Sequence, residues 1–150
     1  MKKFSFSLQK VLEIKEQVLE NLKLELSNLN HDYKIIEQQI EDLKIKYKTV
    51  DNEFVEKSAV SISVGEMYYN KIYMSSILKQ IDNKEEEKEI VFKKIEVKRQ
   101  EIINMKKEIS SLDKLRENEL EKYKKALLKS EEIFIEEFVS NKSMTKKYAI

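Results

Sequence analysis

The stretch SAVSISVGEM, residues 58–67, holds the only glycine in a chain of 150 residues that contains no proline. Residues 59–63, AVSIS, are β-branched and serine-rich, which makes them poor helix formers. Ser63-Val64-Gly65-Glu66 has the form of a capping box. In it the Ser63 hydroxyl accepts from the Glu66 amide, and the Glu66 carboxylate reaches back to the Ser63 amide. Ile62 and Met67 stand where a hydrophobic staple would close over that start. One helix is therefore expected to end near Lys57 and a second to begin near Val64. Two long helices with so short a connection fold into an antiparallel hairpin. The alternative is one bent helix that tolerates a glycine and dimerises in parallel, but it leaves a fresh N-cap signal without a purpose.

Outward from the break, both sides carry helical apolar patterns. Before it the pattern runs Leu8, Val11, Lys15, Val18, Leu22, Leu26, Leu29, Tyr33, Ile36, Ile40, Leu43, Tyr47, Val50 and Phe54. Steps of three and four alternate, as in a coiled-coil seam, with one doubled four at Val18–Leu22–Leu26 that reads as a stutter. After the break the pattern resumes at Met74, Ile77, Ile81, Lys84, Lys88, Val91, Ile95, Lys98, Ile102, Met105, Ile109 and Leu112. Beyond Arg116 it continues in a shifted phase through Leu120, Tyr123, Leu127, Phe134 and Phe138. Lysine at 84, 88 and 98 makes this seam the looser one, although long lysine stems can lie along apolar surface with the ammonium in water.

These patterns predict an all-α fold, a long two-helix antiparallel coiled-coil hairpin with unequal arms. The expected elements are a helix over about 7–57, a turn over about 58–63, a helix over about 64–140 and a frayed tail at 141–150. At 1.5 Å per residue the arms would be roughly 75 Å and 115 Å long. Residue i would face about residue 121 minus i across the hairpin. Everything after about Leu115 would then have no partner within the chain, yet it carries Tyr123, Leu127, Ile133, Phe134, Ile135 and Phe138. A helix with a bare apolar stripe needs something to cover it.

Composition narrows the function classes. Lys+Arg number 29 against Asp+Glu 28, a balance that weighs against nucleic acid as a partner. There is no cysteine, so neither a disulfide framework nor a thiolate metal site is expected. Apolar runs fall short of a membrane span, and charges at Lys10, Glu13 and Lys15 interrupt any signal-peptide core. A soluble, cytoplasmic protein without membrane insertion is the expectation. His31 is the only histidine and reads as a surface residue. The acidic runs at 85–87, 131–132 and 136–137 read as solvated faces. The basic pairs Lys93-Lys94, Lys98-Arg99 and Lys106-Lys107 read the same way, or as a contact for an acidic partner. No glycine-rich loop offers a phosphate cradle. No catalytic residue, metal site or cofactor is expected.

The aromatic residues gather near the turn (Tyr47, Phe54, Tyr68, Tyr69, Tyr73) and at the end with both termini (Phe4, Phe6, Phe134, Phe138). Aromatics are favoured at protein interfaces. Tyr68, Tyr69 and Tyr73 span more than one helical face, so a single seam cannot bury all three.

The opening FSFSLQKVLEIKE, the internal GEMYYNKIYMSSILKQI and the closing LEKYKKALLKSEEIFIEEF resemble FliJ, a coiled-coil protein family of the bacterial flagellar type III export apparatus. The resemblance covers nearly the whole chain. It implies a stalk-like antiparallel coiled coil that inserts one end into the hexameric export ATPase and contacts the cytoplasmic domain of the export gate protein. Export chaperones are implied as further partners, and the cytoplasmic face of the inner membrane at the flagellar base as the location. Carried over by position, the resemblance implies gate contacts at Gln39, Leu43, Tyr47, Tyr69, Tyr73 and Ile77. It implies ATPase contacts at Phe4, Phe6, Leu8, Phe134 and Phe138. The competing readings are the equivalent stalk of a virulence-type injectisome, a generic scaffold that self-associates through the overhang, and a binder of nucleic acid or anionic membrane through the lysine pairs.

Overall fold

The computed structural model describes residues 2–148, with side chains described through Met144. The described residues form two helices and no strand: α1, Gln9–Val60, and α2, Val64–Tyr148. The helices pack against each other as an antiparallel hairpin. Contacts group the chain into two compact units, Met1–Leu19 with Asn104–Ile150, and Glu20–Ile103.

The break lies where the sequence places it and is tighter than expected, with only residues 61–63 outside the helices. The end of α1 is closed by the Ser61 N–H donating to the Lys57 carbonyl at 3.1 Å, and the Ser58 hydroxyl turns back to the Phe54 carbonyl at 2.7 Å. Such back-bonding competes with the helix ladder. The start of α2 is capped by Ser63. Its hydroxyl accepts from the Glu66 N–H at 3.2 Å, and its carbonyl accepts from the Met67 N–H at 3.1 Å. Gly65 is not the hinge. It has an ordinary negative φ inside the first turn of α2, and a Cβ there would meet only the Ser63 hydroxyl at 3.9 Å. The serine cap and the β-branched run make the turn.

In the unit Glu20–Ile103 the core holds Ile36 and Ile40 from α1 against Ile77, Ile95 and Ile102 from α2. Of the three lysines on the α2 seam, Lys84 pairs within α2 with Glu87 at 3.2 Å, and the other two find partners across the hairpin. Lys98 Nζ lies 2.6 Å from Glu25, and Lys88 Nζ sits 5.4 Å from the centre of the Tyr33 ring. Residue numbers 25 and 98 sum to 123, and 33 and 88 to 121, close to the facing rule read from the sequence. Lys98 also bonds Glu101 at 3.0 Å. The Glu25 hydrogen bond, followed by that to Glu101, holds the Lys98 pKa above its ordinary 10.5.

In the unit Met1–Leu19 with Asn104–Ile150, Phe6 and Leu12 are buried, and Lys15 meets Glu108 at 2.6 Å. Here the sequence reading needs correction. Leu8, Val11 and Val18, all expected on the seam, are exposed, and Leu12 and Leu19 take the inner positions. With Leu19 in place of Val18 the doubled step of four disappears. Inward positions then alternate by three and four without a break from Leu12 to Phe54, so no stutter unwinds α1. On α2 every expected position from Met74 to Leu112 faces inward. The tail expected to fray from 141 stays helical through Tyr148, since residues 141–148 contain neither proline nor glycine to end it. The expected tail's residues 149 and 150 lie outside the described residues.

Candidate functional site

Two surfaces gather the candidate residues, one in each unit. In the turn-bearing unit, Tyr69 and Tyr73 lie one helical turn apart on α2. Their rings stack 6.4 Å apart at an interplanar angle of 3°. Lys46 of α1 places its ammonium 5.5 Å from the Tyr73 ring centre, a cation–π contact that fixes the ring against α1. Tyr69 is 70% exposed and Tyr68 nearly as much, whereas Tyr73 is half-buried. The single seam indeed leaves part of this cluster in solvent.

The remaining residues assigned to this surface separate by depth. Gln39 is exposed, Leu43 and Tyr47 are half-buried on the inner face of α1, and Ile77 is completely buried. Ile77 therefore packs the hairpin beneath the surface and offers no atom to a partner. The sequence reading missed an apolar groove beside the tyrosines. Phe54, Val64, Met67, Tyr68 and Met74 line it, with Asp51, Asn70 and Lys71 at its edges and a volume of about 520 Å³. It assembles residues from both helices flanking the turn, so no single periodic pattern displays it.

The surface in the other unit divides in two. Phe134 is 69% exposed and Phe138 58%, and Ile135 and Val139 beside them are equally open. Lys142 lies over the Phe138 ring at 5.6 Å. Phe4 and Phe6 do not share that exposure. Residues 2–8 precede α1 without helical structure and fold onto α2. Phe6 is only 6% exposed. Phe4 packs against Tyr123 with ring centres 5.6 Å apart, and the Arg116 guanidinium lies 5.9 Å from the Phe4 ring. The Tyr123 hydroxyl donates to the Lys2 carbonyl at 2.6 Å. The expectation that α2 lacks a partner from about Leu115 onward is thus corrected, because the N-terminal segment covers it as far as Tyr123. A signal for this was present in Phe4-Ser5-Phe6-Ser7, whose period-two alternation marks extended chain. Leu8, at the end of this segment, is exposed.

Among the described residues no group of three or more His, Cys, Asp or Glu could hold a metal ion. His31 is exposed on α1. Among the described residues no helix is long and apolar enough to cross a membrane.

Fold and surfaces together define a two-helix coiled-coil hairpin that presents exposed aromatic side chains from its flanks. The family model described as Flagellar FliJ protein matches residues 4–147. The chain belongs to the FliJ family and is a flagellar export-related protein. No curated protein and no solved structure matches it significantly.

Proposed function

We propose that this protein is a non-enzymatic central stalk and coupler of the flagellar type III export apparatus. It binds the hexameric export ATPase and the cytoplasmic domain of the export gate protein, at the cytoplasmic face of the inner membrane. Export chaperones are further partners. The observation that carries the reading is the exposed aromatic pair Phe134 and Phe138 on a helix of a family whose members serve flagellar export. This pair, with the face of α2 that holds it, takes the ATPase, and Phe4, Phe6 and Leu8 adjoin the same face. Tyr69, Tyr73 and Gln39, with Leu43 and Tyr47 at the seam, take the gate domain, and Ile77 holds the helices in place under them.

A helical pair suits this work because it spreads many weak contacts along a pore without needing a pocket. Its faces differ chemically, so identical ATPase subunits around it meet different side chains. A ligand shifts an equilibrium only through differential affinity for its states. The stalk accordingly biases ring assembly and subunit state by binding some arrangements better than others.

The test titrates purified chain into the export ATPase and follows hexamer formation and turnover. Phe134→Ala with Phe138→Ala should weaken binding by about 2 kcal/mol or more, as buried aromatic anchors do. The pair Tyr69→Ala and Tyr73→Ala should spare ATPase binding and weaken binding of the gate domain. Unchanged assembly and turnover at saturating stalk would discard the proposal.

A further inference from the structure

The N-terminal segment covers only part of a longer apolar face. Arg116, Leu120, Tyr123, Leu127, Phe134 and Phe138 lie within about 60° of one another around α2 at 100° per residue. The first four are half-buried and the last two are bare. Among the described residues no backbone–backbone hydrogen bond ties residues 2–5 to α2. The segment's backbone bond at Phe6 goes to α1 instead, from the Gln9 N–H to the Phe6 carbonyl at 3.1 Å. The segment is held by side chains: buried Phe6, the Phe4–Tyr123 ring contact, Arg116 over Phe4, and the Tyr123 hydroxyl on the Lys2 carbonyl. Lys3, Ser5 and Ser7 between them are exposed.

We infer that residues 2–8 form a displaceable strap that competes with the ATPase for this face of α2. The inference rests on the ATPase reading above and adds its regulation. A partner seated on Phe134 and Phe138 meets the strap as it extends toward Tyr123. Lifting the strap lengthens the accessible face by the two turns from Tyr123 to Arg116, about 10 Å. Extended chain held by side chains is the low-stability end of a fold, where local opening costs least. The apparent affinity of the ATPase is then reduced by the fraction of molecules whose strap is open.

Three forms of the full chain distinguish the outcomes: the natural sequence, Tyr123→Phe, and a deletion of residues 2–7. Each is titrated with the hexameric ATPase. Tyr123→Phe removes one hydrogen bond and keeps the ring, so it reports even where the shortened chain fails to fold. It should bind about threefold tighter, within the range one hydrogen bond allows. The deletion should bind about tenfold tighter. Because the chain has no cysteine, Ser5→Cys with Glu121→Cys accepts a pair of distance labels, which should move apart when the ATPase binds. Equal or weaker binding by both variants overturns the strap, as do labels that stay close in the complex. An ATPase that ignores all three forms overturns the stalk proposal and the strap together. An ATPase that binds all three equally overturns the strap alone.

Discussion

Replacing Ile77 with alanine separates a packing role from a contact role at a position the family resemblance assigns to the gate. Its side chain is completely buried in the structure, at 0% exposure. The substitution removes three carbons, worth about 0.8 kcal/mol each in transfer free energy, or about 2.4 kcal/mol. A residual cavity adds to this, and Ile→Ala changes in cores cost about 2–5 kcal/mol. A hairpin is only two helices thick, so neighbouring side chains can close part of the space, and alanine's better helix propensity returns about 0.4 kcal/mol. The net expectation is about 2.5 kcal/mol, near the lower end of the core range. At about 2–4 °C per kcal/mol for a chain of this size, Tm should fall by about 5–10 °C. Ile72 supplies the control. It lies on the same helix but is 52% exposed, and its replacement by alanine should stay within about 0.5 kcal/mol. Urea and thermal unfolding followed by circular dichroism compare the two variants. If Ile77→Ala is as mild as Ile72→Ala, the core drawn for the turn-bearing unit is wrong. If it keeps its Tm and loses the gate domain, the side chain is a surface contact after all.

The cap, the seam and the ion pairs each set a further expectation. Ser63→Ala should cost about 1 kcal/mol through the lost bond from the Glu66 N–H, while Gly65→Ala should stabilise by about 0.4–1 kcal/mol, since φ is ordinary and no clash arises; a destabilised Gly65→Ala would show that the turn needs glycine. Leu19→Ala should lower Tm clearly more than Val18→Ala, and the reverse order would restore the stutter to α1. Lys98 has a folded-state pKa raised by Glu25 and Glu101, so its contribution is complete below the unfolded value of about 10.5 and fades as pH climbs through the raised value. The Tm gap between the natural chain and Lys98→Met should therefore hold steady through neutral pH and narrow in strong alkali, and a gap that already closes at neutral pH would contradict the ion pair.

How far the fold was legible depended on whether a position had an apolar neighbour to compete with it. On α2 the seam from Met74 to Leu112 has lysine at three inner positions, yet its phase is unambiguous because the apolar residues around them repeat regularly. At the start of α1, Val11 stands beside Leu12 and Val18 beside Leu19. Periodicity alone cannot choose within such a pair, since either member continues the stripe. The choice is made by what lies opposite, and that information sits about a hundred residues away. The strap was hidden for the same reason. Phe4 and Phe6 look like an exposed sticky end until Arg116 and Tyr123 are placed beneath the segment. The site residues show a related limit: helical spacing groups Tyr73 with Ile77, one turn apart, but does not say that one edges the surface while the other is sealed under it.

The lysines facing α1 also govern how far one helix can slide along the other. Lys88 sits over Tyr33 and Lys98 reaches Glu25. A slide of one heptad in either direction would set Lys88 against Ile40 or Leu26 instead of an aromatic ring, and would part Lys98 from Glu25. A greasy stripe repeating every seven residues is nearly indifferent to such a shift, and a few polar intruders remove the indifference. What looks like a weakness in the packing of α2 thus serves to hold the two helices in one register.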